Sequence, residues 1–263
     1  IDGSLTTTGA TNLQSTLTVG SLAKSDQTNN GIVVANADGT VSRKEIGGSA
    51  LDSLNCVGDG ENAVCYGPDA EAVGVGTTAI GAGAKAAGEG AMASGTGATA
   101  TSRAIALGAN SYASENSIAL GTNSKSSYFN TIAIGYGAKS NSFNQISIGY
   151  ESGSDAGGLK ETISIGAKSK TTGSESVAVG SYAQASKFSV AVGKQANAGI
   201  QYATALGYQA KAGKNAIALG VGATANGIGA QASGAYANAN GFGARASGYQ
   251  ANASGDFSTA SGY

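Results

Sequence analysis

From about Ala63 to the end, hydrophobic and polar positions alternate in short bursts, and one burst returns about every 14 residues. The clearest copies read AIALG at 104–108, SIALG at 117–121, TIAIG at 131–135 and SVAVG at 176–180. Each copy closes on a glycine: Gly67, Gly81, Gly95, Gly108, Gly121, Gly135, Gly149, Gly166, Gly180, Gly193, Gly207, Gly220, Gly234, Gly248 and Gly262. The interval is 13 or 14 residues except in one copy, Tyr150–Gly166, which has 17. A period held this long marks one supersecondary unit stacked on itself. Period-two alternation inside each half-repeat predicts β-strands. Two short strands and two turns use up one repeat, so the expected fold is all-β: a flat parallel β-solenoid with two strands per coil.

Aligning the copies on the closing glycine separates the columns. Two residues before it stands a small residue, as in Ala79, Ala106, Ala119 and Ala133, with Cys65, Ser147 and Ser164 as the departures from alanine. Three and five residues after it every copy has Ala, Ser or Thr. The positions one and three before the glycine are mostly branched aliphatics: Ile105 and Leu107, Ile118 and Leu120, Ile132 and Ile134, Ile146 and Ile148, Ile163 and Ile165, Val177 and Val179, Ile217 and Leu219. Small columns that never admit a large residue suit a narrow space inside each coil. The aliphatic columns then form a seam between chains, although the reverse assignment also satisfies the alternation. Towards the C-terminus this seam turns polar, with Gln231/Ser233, Arg245/Ser247 and Thr259/Ser261.

Residues 1–62 do not follow the repeat and are read as a separate β-rich region, with 63–263 as the array. Strand-like runs stand at 16–22 and 31–35, a turn at Ala37-Asp38-Gly39 leads into Thr40-Val41, and Ser49 with Asp52 suggests one capped helical turn. Composition agrees with a small-residue core, since 43 of 263 residues are glycine and only 6% are aromatic. The longest apolar runs are far too short to cross a bilayer as a helix. Ile1 is not an initiator methionine and the last copy stops one residue past its glycine, so the chain reads as a piece of something longer. Net charge is −1, yet 121–215 carries nine lysines against four acids. That imbalance points to anionic partners or, more blandly, to solubility and guarded strand edges. Cys56 and Cys65 bracket the start of the repeats, and their close spacing suits a disulfide in an oxidising compartment, the other reading being two free thiols.

The copies SIALGTNS, TIAIGYGAKS, SVAVGSYAQA and AIALGVGATA resemble the head repeats of trimeric autotransporter adhesins, the YadA-like family; ASGTGATA, ASGAYANA and ASGYQANA are similar to a second flavour of the same repeat. The resemblance covers about 63–263. It implies a left-handed β-roll, a homotrimer, display on a Gram-negative bacterial surface, and binding to host matrix proteins, cell-surface receptors or glycans. Membrane attachment would run through an anchor that this sequence does not contain. A phage tail fibre or virion spike is the second function class, prompted by the texture of 6–19; an ice-binding solenoid is a third, disfavoured by a mixed outward column.

Chemistry finds little purchase. Without histidine there is no Ser-His-Asp or Cys-His machinery and little prospect of a zinc site, so neither catalysis, cofactor, metal nor nucleic acid is expected. Glu151, Asp155 and Glu161 around the long copy could pair for sugar hydrolysis, but surface acids at a loop are commonplace. Binding residues are sought instead on the outward columns. Lys125, Lys139, Lys170 and Lys211 stand four after the glycine, and Tyr136, Tyr150 and Tyr208 directly after it. Asp155 and Lys160 belong to the long copy, whose extra residues must bulge from the stack.

Overall fold

The computed structural model describes residues 31–35, 41–45, 56–58, 60–154 and 157–262. The chain falls into two compact units, Ile1–Leu51 and Asp52–Tyr263. In the first, Gly31–Ala35 pairs antiparallel with Val41–Glu45, Gly31 opposite Glu45 and Ala35 opposite Val41. The strand read at 16–22, the turn at Ala37-Asp38-Gly39 and the helical turn from Ser49 lie outside the described residues.

The second unit is a parallel β-solenoid, and its described residues contain no helix. Each coil lays down one strand on each of two faces. The long face is a single 15-stranded sheet running from Val64–Tyr66 to Thr259–Ser261. Its register is in step with the repeat: Ile105 pairs with Ile118, Ile118 with Ile132, and Ile132 with Ile146. The opposite, short face consists of two seven-stranded ribbons, from Cys56–Gly58 to Lys139–Ser140 and from Lys170–Thr171 to Asn252–Ala253. Between the ribbons a single residue, Gly153, bridges Lys139 and Lys170.

The alternation of side chains settles which columns lie inside. Ala79, Ala106, Ala119, Ala133, Ala178 and Ala218 are all fully buried, as are Ala84 and Ala86 after the glycine. A fourth interior column, four residues before the glycine, was not picked out from sequence. It holds Thr77, Ala104, Ser117, Thr131, Gln145, Thr162 and Ala216, each at most 1% exposed. Apart from Gln145, these interior columns hold methyl- and hydroxyl-sized side chains, packed between the two faces of the coil. The aliphatic columns face outward on the long face: Ile105 and Leu107 are half-buried, and Ile217 and Leu219 are 38% and 36% exposed.

Alanine does not fill the stack evenly. One buried alanine cluster spans Ala70–Ala119 and another Ala178–Ala253, and the coils between them carry hydroxyls inside. There the hydroxyls satisfy one another or the backbone: Ser126 Oγ lies 2.8 Å from Thr131 Oγ1, and Ser147 Oγ donates to the Lys139 carbonyl at 2.8 Å. The hydroxyls of Ser124, Ser142 and Thr162 are exceptions, buried without a partner, and so is Gln145, fully buried with neither amide atom partnered within the protein.

The corners explain the glycine. Gly121 has φ +126°, and a Cβ there would come within 2.7 Å of the backbone carbonyl of Gly135 one coil on. Only a hydrogen fits between successive corners, so the closing column is glycine throughout. Two further positions per coil, two after and five before the glycine, adopt left-handed backbone angles. Asparagine fills many of them, as at Asn110, Asn116, Asn123 and Asn130. Tyr182, Phe188, Tyr202, Tyr236 and Phe257 occupy others, an unfavourable choice for bulky residues.

The stack opens with the two cysteines in register with interior columns. Cys56 pairs with Ala70 and Cys65 with Ala79, and both alanines are fully buried.

Candidate functional site

Four residues after each closing glycine, the side chain points out from the short face. Read along the stack this column runs Glu71, Lys85, Thr99, Tyr112, Lys125, Lys139, Gly153, Lys170, Gln184, Asn197, Lys211. Successive rungs of a parallel ladder lie about 4.8 Å apart, so neighbouring side chains must interact. Lys85 answers Glu71 across one rung with a 2.9 Å ion pair. Both groups are exposed, so the pair contributes about 0–1 kcal/mol. Lys125 and Lys139 are directly adjacent rungs of like charge.

At Gly153 the column loses its side chain. A Cβ there would run into the Lys139 carbonyl oxygen and reach within 2.7 Å of the buried Ser147 Oγ, so nothing larger than glycine fits. Beside it lies a recess of about 390 Å³ whose lining includes Lys139 and Lys170 on either side, Tyr136, Glu151 and Lys168 at the glycine corner, and Ser152 and Ser169, whose hydroxyls donate to the Gly149 and Gly166 carbonyls. Lys168 Nζ sits 3.7 Å from Glu151 and 5.7 and 5.8 Å from the ring centres of Tyr150 and Tyr182. Tyr136 and Tyr150 stack at 5.6 Å with their planes 11° apart. Hydrogen bonding to Glu151, reinforced by that carboxylate's negative charge, raises the Tyr150 hydroxyl above its ordinary pKa of 10.0.

The structure therefore brings Lys139, Lys170, Tyr136 and Tyr150 into one neighbourhood. Lys125 lies on the next rung beside Tyr112, in a neighbouring groove. Lys211 lies further along, in a groove with Tyr182, Gln195, Asn197 and Tyr236. Tyr208 is 43% exposed on the glycine corner. Lys160 sits at the opposite corner, where its backbone amide donates to Ser174 Oγ at 3.2 Å, and Asp155 lies outside the described residues. Lys168 and Gly153 were not among the sequence candidates, and Glu151 was weighed only as an acid for sugar hydrolysis. The signal available for them was the one glycine in an otherwise side-chain-bearing outward column.

That opposite corner carries its own aromatic edge. Phe188 and Tyr202 stack at 5.0 Å and 6°, and Tyr128 meets Phe143 edge-on at 5.0 Å. Among the described residues no group of three acids, cysteines or histidines could hold a metal ion.

Comparison with known proteins agrees with the coil geometry. No curated protein matches the chain significantly. The family model of the YadA head domain repeat matches residues 72–98, 102–124, 114–138, 160–183, 187–210, 201–222 and 239–263, more than half of the chain. The stacked coils, their closing glycines and these matches together make the chain a member of the YadA head domain repeat family, a YadA-like head of a trimeric autotransporter adhesin.

Proposed function

We propose that the chain is the adhesive head of a bacterial surface protein displayed at the outer membrane, and that it binds host matrix or cell-surface molecules without doing chemistry. Family membership supports the adhesin role in general. The observation that carries the rest is the outer surface of the 15-stranded sheet. Ile118, Leu120, Ile132, Ile134, Ile146 and Ile148 form a half-buried aliphatic strip on the outer face of the sheet, with no strand or helix of the described residues laid over it. Contiguous apolar surface of this kind marks an interface. Three copies packed on these strips would form a homotrimer, with Ile105, Leu107, Ile163, Ile165, Val177, Val179, Ile217 and Leu219 extending the seam. The lysine–tyrosine faces would then be repeated around the axis, so weak single contacts gain from multivalency.

Residues 1–51 are proposed as the separate β-rich segment ahead of the roll, in place of the 1–62 drawn from sequence, because Cys56–Gly58 already pairs with Ala70–Val73 as part of the roll. Cys56 and Cys65, on facing interior columns of the first coil, are proposed to bond and close that end of the stack; no free thiol stands among the described residues. A ten-residue loop closed this way contributes about 2–3 kcal/mol in the chain-entropy model.

The test is a binding screen of the chain against immobilised collagens, fibronectin, laminin and intact host cells. Saturable binding to at least one is expected. Absence of binding to all of them contradicts the adhesive reading.

A further inference from the structure

We propose that the trough between Tyr182 and Tyr236 binds a stretch of neutral oligosaccharide, its hydroxyls held by the amides of Gln184, Gln195, Asn197 and Gln209 and its rings lying against the two tyrosines. The inference rests on the adhesive reading above and names a ligand class for one site within it.

The trough is made by two neighbouring columns over consecutive coils. Its floor is the outward column of the short face, where Gln184, Asn197, Lys211 and Thr224 occupy successive rungs. Strand alternation aims these side chains outward, because the alanines on either side of each, such as Ala183 and Ala185, are buried inside the coil. Its wall is the corner column two residues earlier: Tyr182, Gln195, Gln209, Gly222 and Tyr236. The space they line is about 570 Å³, within the range of ligand sites, and it opens to solvent along its length, so an internal stretch of a chain can enter.

Aromatic rings set both ends. Gly222 has φ +64°, and a Cβ there would lie 2.8 and 2.9 Å from Cδ1 and Cε1 of Tyr236. The ring therefore lies against the glycine and leans into the trough, and a side chain at 222 would push it away. Tyr249, one coil further on, meets Tyr236 edge-on at 6.3 Å. At the other end Tyr182 is 48% exposed, with Lys168 of the preceding coil 5.8 Å from its ring centre.

The groups between the rings match a sugar better than a charged ligand or a protein. The lining holds no acid, no aliphatic side chain and one cation, Lys211. A protein interface has an apolar, desolvated centre, and this trough has none. Gln209 Nε2 donates to Gln195 Oε1 at 3.0 Å, which leaves the Gln195 amino group and the Gln209 oxygen as a donor and an acceptor one rung apart. Gln184 and Asn197 present their amides side by side on adjacent rungs. A primary amide both donates and accepts, as a sugar hydroxyl does, so neighbouring hydroxyls can be met in pairs. The rungs recur every 4.8 Å or so, about the length of one sugar ring, and the ladder therefore offers similar groups to successive sugars. The tyrosine faces take the C–H side of the rings while their hydroxyls stay in water.

Calorimetry of the full chain tests this with short neutral oligosaccharides of glucose, mannose, galactose and N-acetylglucosamine and with a heparin-derived oligosaccharide, at about 0.15 M and about 1 M salt. The site variant is Gln184→Ala with Tyr236→Ala. The control, Gln201→Ala with Tyr202→Ala, removes the same two side-chain types at the opposite corner. Circular dichroism confirms that both fold. At least one neutral oligosaccharide should bind, with an affinity that changes by less than about twofold between the two salt concentrations. The site variant should lose about tenfold or more, and the control should stay within about twofold. Equal losses in the two variants would overturn the proposal, as would binding confined to the heparin fragment. It would also fall if no neutral oligosaccharide bound. In that event, retained binding to matrix proteins or cells leaves the adhesive reading standing, whereas loss of both removes it as well.

Discussion

Two glycines with positive φ separate the two reasons a coil can need glycine. Gly83 has φ +65°, and a Cβ built on it meets nothing within 4 Å. Gly121 has φ +126°, and its Cβ would lie 2.7 Å from both the carbonyl carbon and oxygen of Gly135. Gly83→Ala therefore carries only the left-handed penalty, about 1–2 kcal/mol. Gly121→Ala adds a backbone clash in a region essentially closed to side-chain-bearing residues. The strain of about 1–3 kcal/mol is joined by displacement of one coil from the next, for a total of about 3–5 kcal/mol. Because each coil touches chiefly its neighbours, the damage should concentrate around the altered rung. Urea unfolding gives the total, and amide exchange at Leu120, Ile134 and Ile148 shows where it falls. Equal destabilisation by the two substitutions, or exchange that rises uniformly along the stack, would refute the claim that corner-to-corner contact dictates the closing column.

Four further outcomes follow from the same geometry. Ile132→Ser with Ile134→Ser should weaken chain association measured by sedimentation far more than Lys139→Ser, since only the former pair lies on the long face. Gln145→Leu should leave stability unchanged or raise it by about 1–3 kcal/mol in thermal unfolding, because it removes a buried amide with no protein partner. Reduction, or Cys65→Ser, should lower stability by about 2–3 kcal/mol. Tyr150 should ionise above 10.0 in ultraviolet titration, and Glu151→Gln should bring it down. A raised pKa means the folded state favours the protonated phenol. Its contribution is complete below the unfolded pKa and fades as pH climbs through the folded value.

Much of the scaffold could be read from residues alone, because a solenoid repeats one local problem and every copy votes on the answer. The invariant small columns announced a thin interior, and Ala106, Ala119 and Ala133 lie there fully buried. The column four before the glycine escaped notice because it mixes Thr77, Ser117 and Gln145 with alanine. Its burial follows from strand alternation and not from hydrophobicity. The left-handed corners were hidden for a similar reason, since Tyr202 and Phe188 are poor advertisements for positive φ.

The site was only half legible. Lys139, Lys170, Tyr136 and Tyr150 are outward by periodicity, so their availability could be anticipated. Attention went to the extra residues of the long copy, which emerge at the corner carrying Lys160. The recess instead lies beside the single bridging residue Gly153, between the rungs of Lys139 and Lys170. Which side chains line it depends on the rungs on both sides, and that pairing is a property of the stacked structure.

The central claim is that the aliphatic strip on the 15-stranded sheet is a seam shared by three chains. Native mass spectrometry of the chain at micromolar concentration tests it most directly. A species of three times 25.3 kDa is predicted, and a monomer under those conditions would contradict the account.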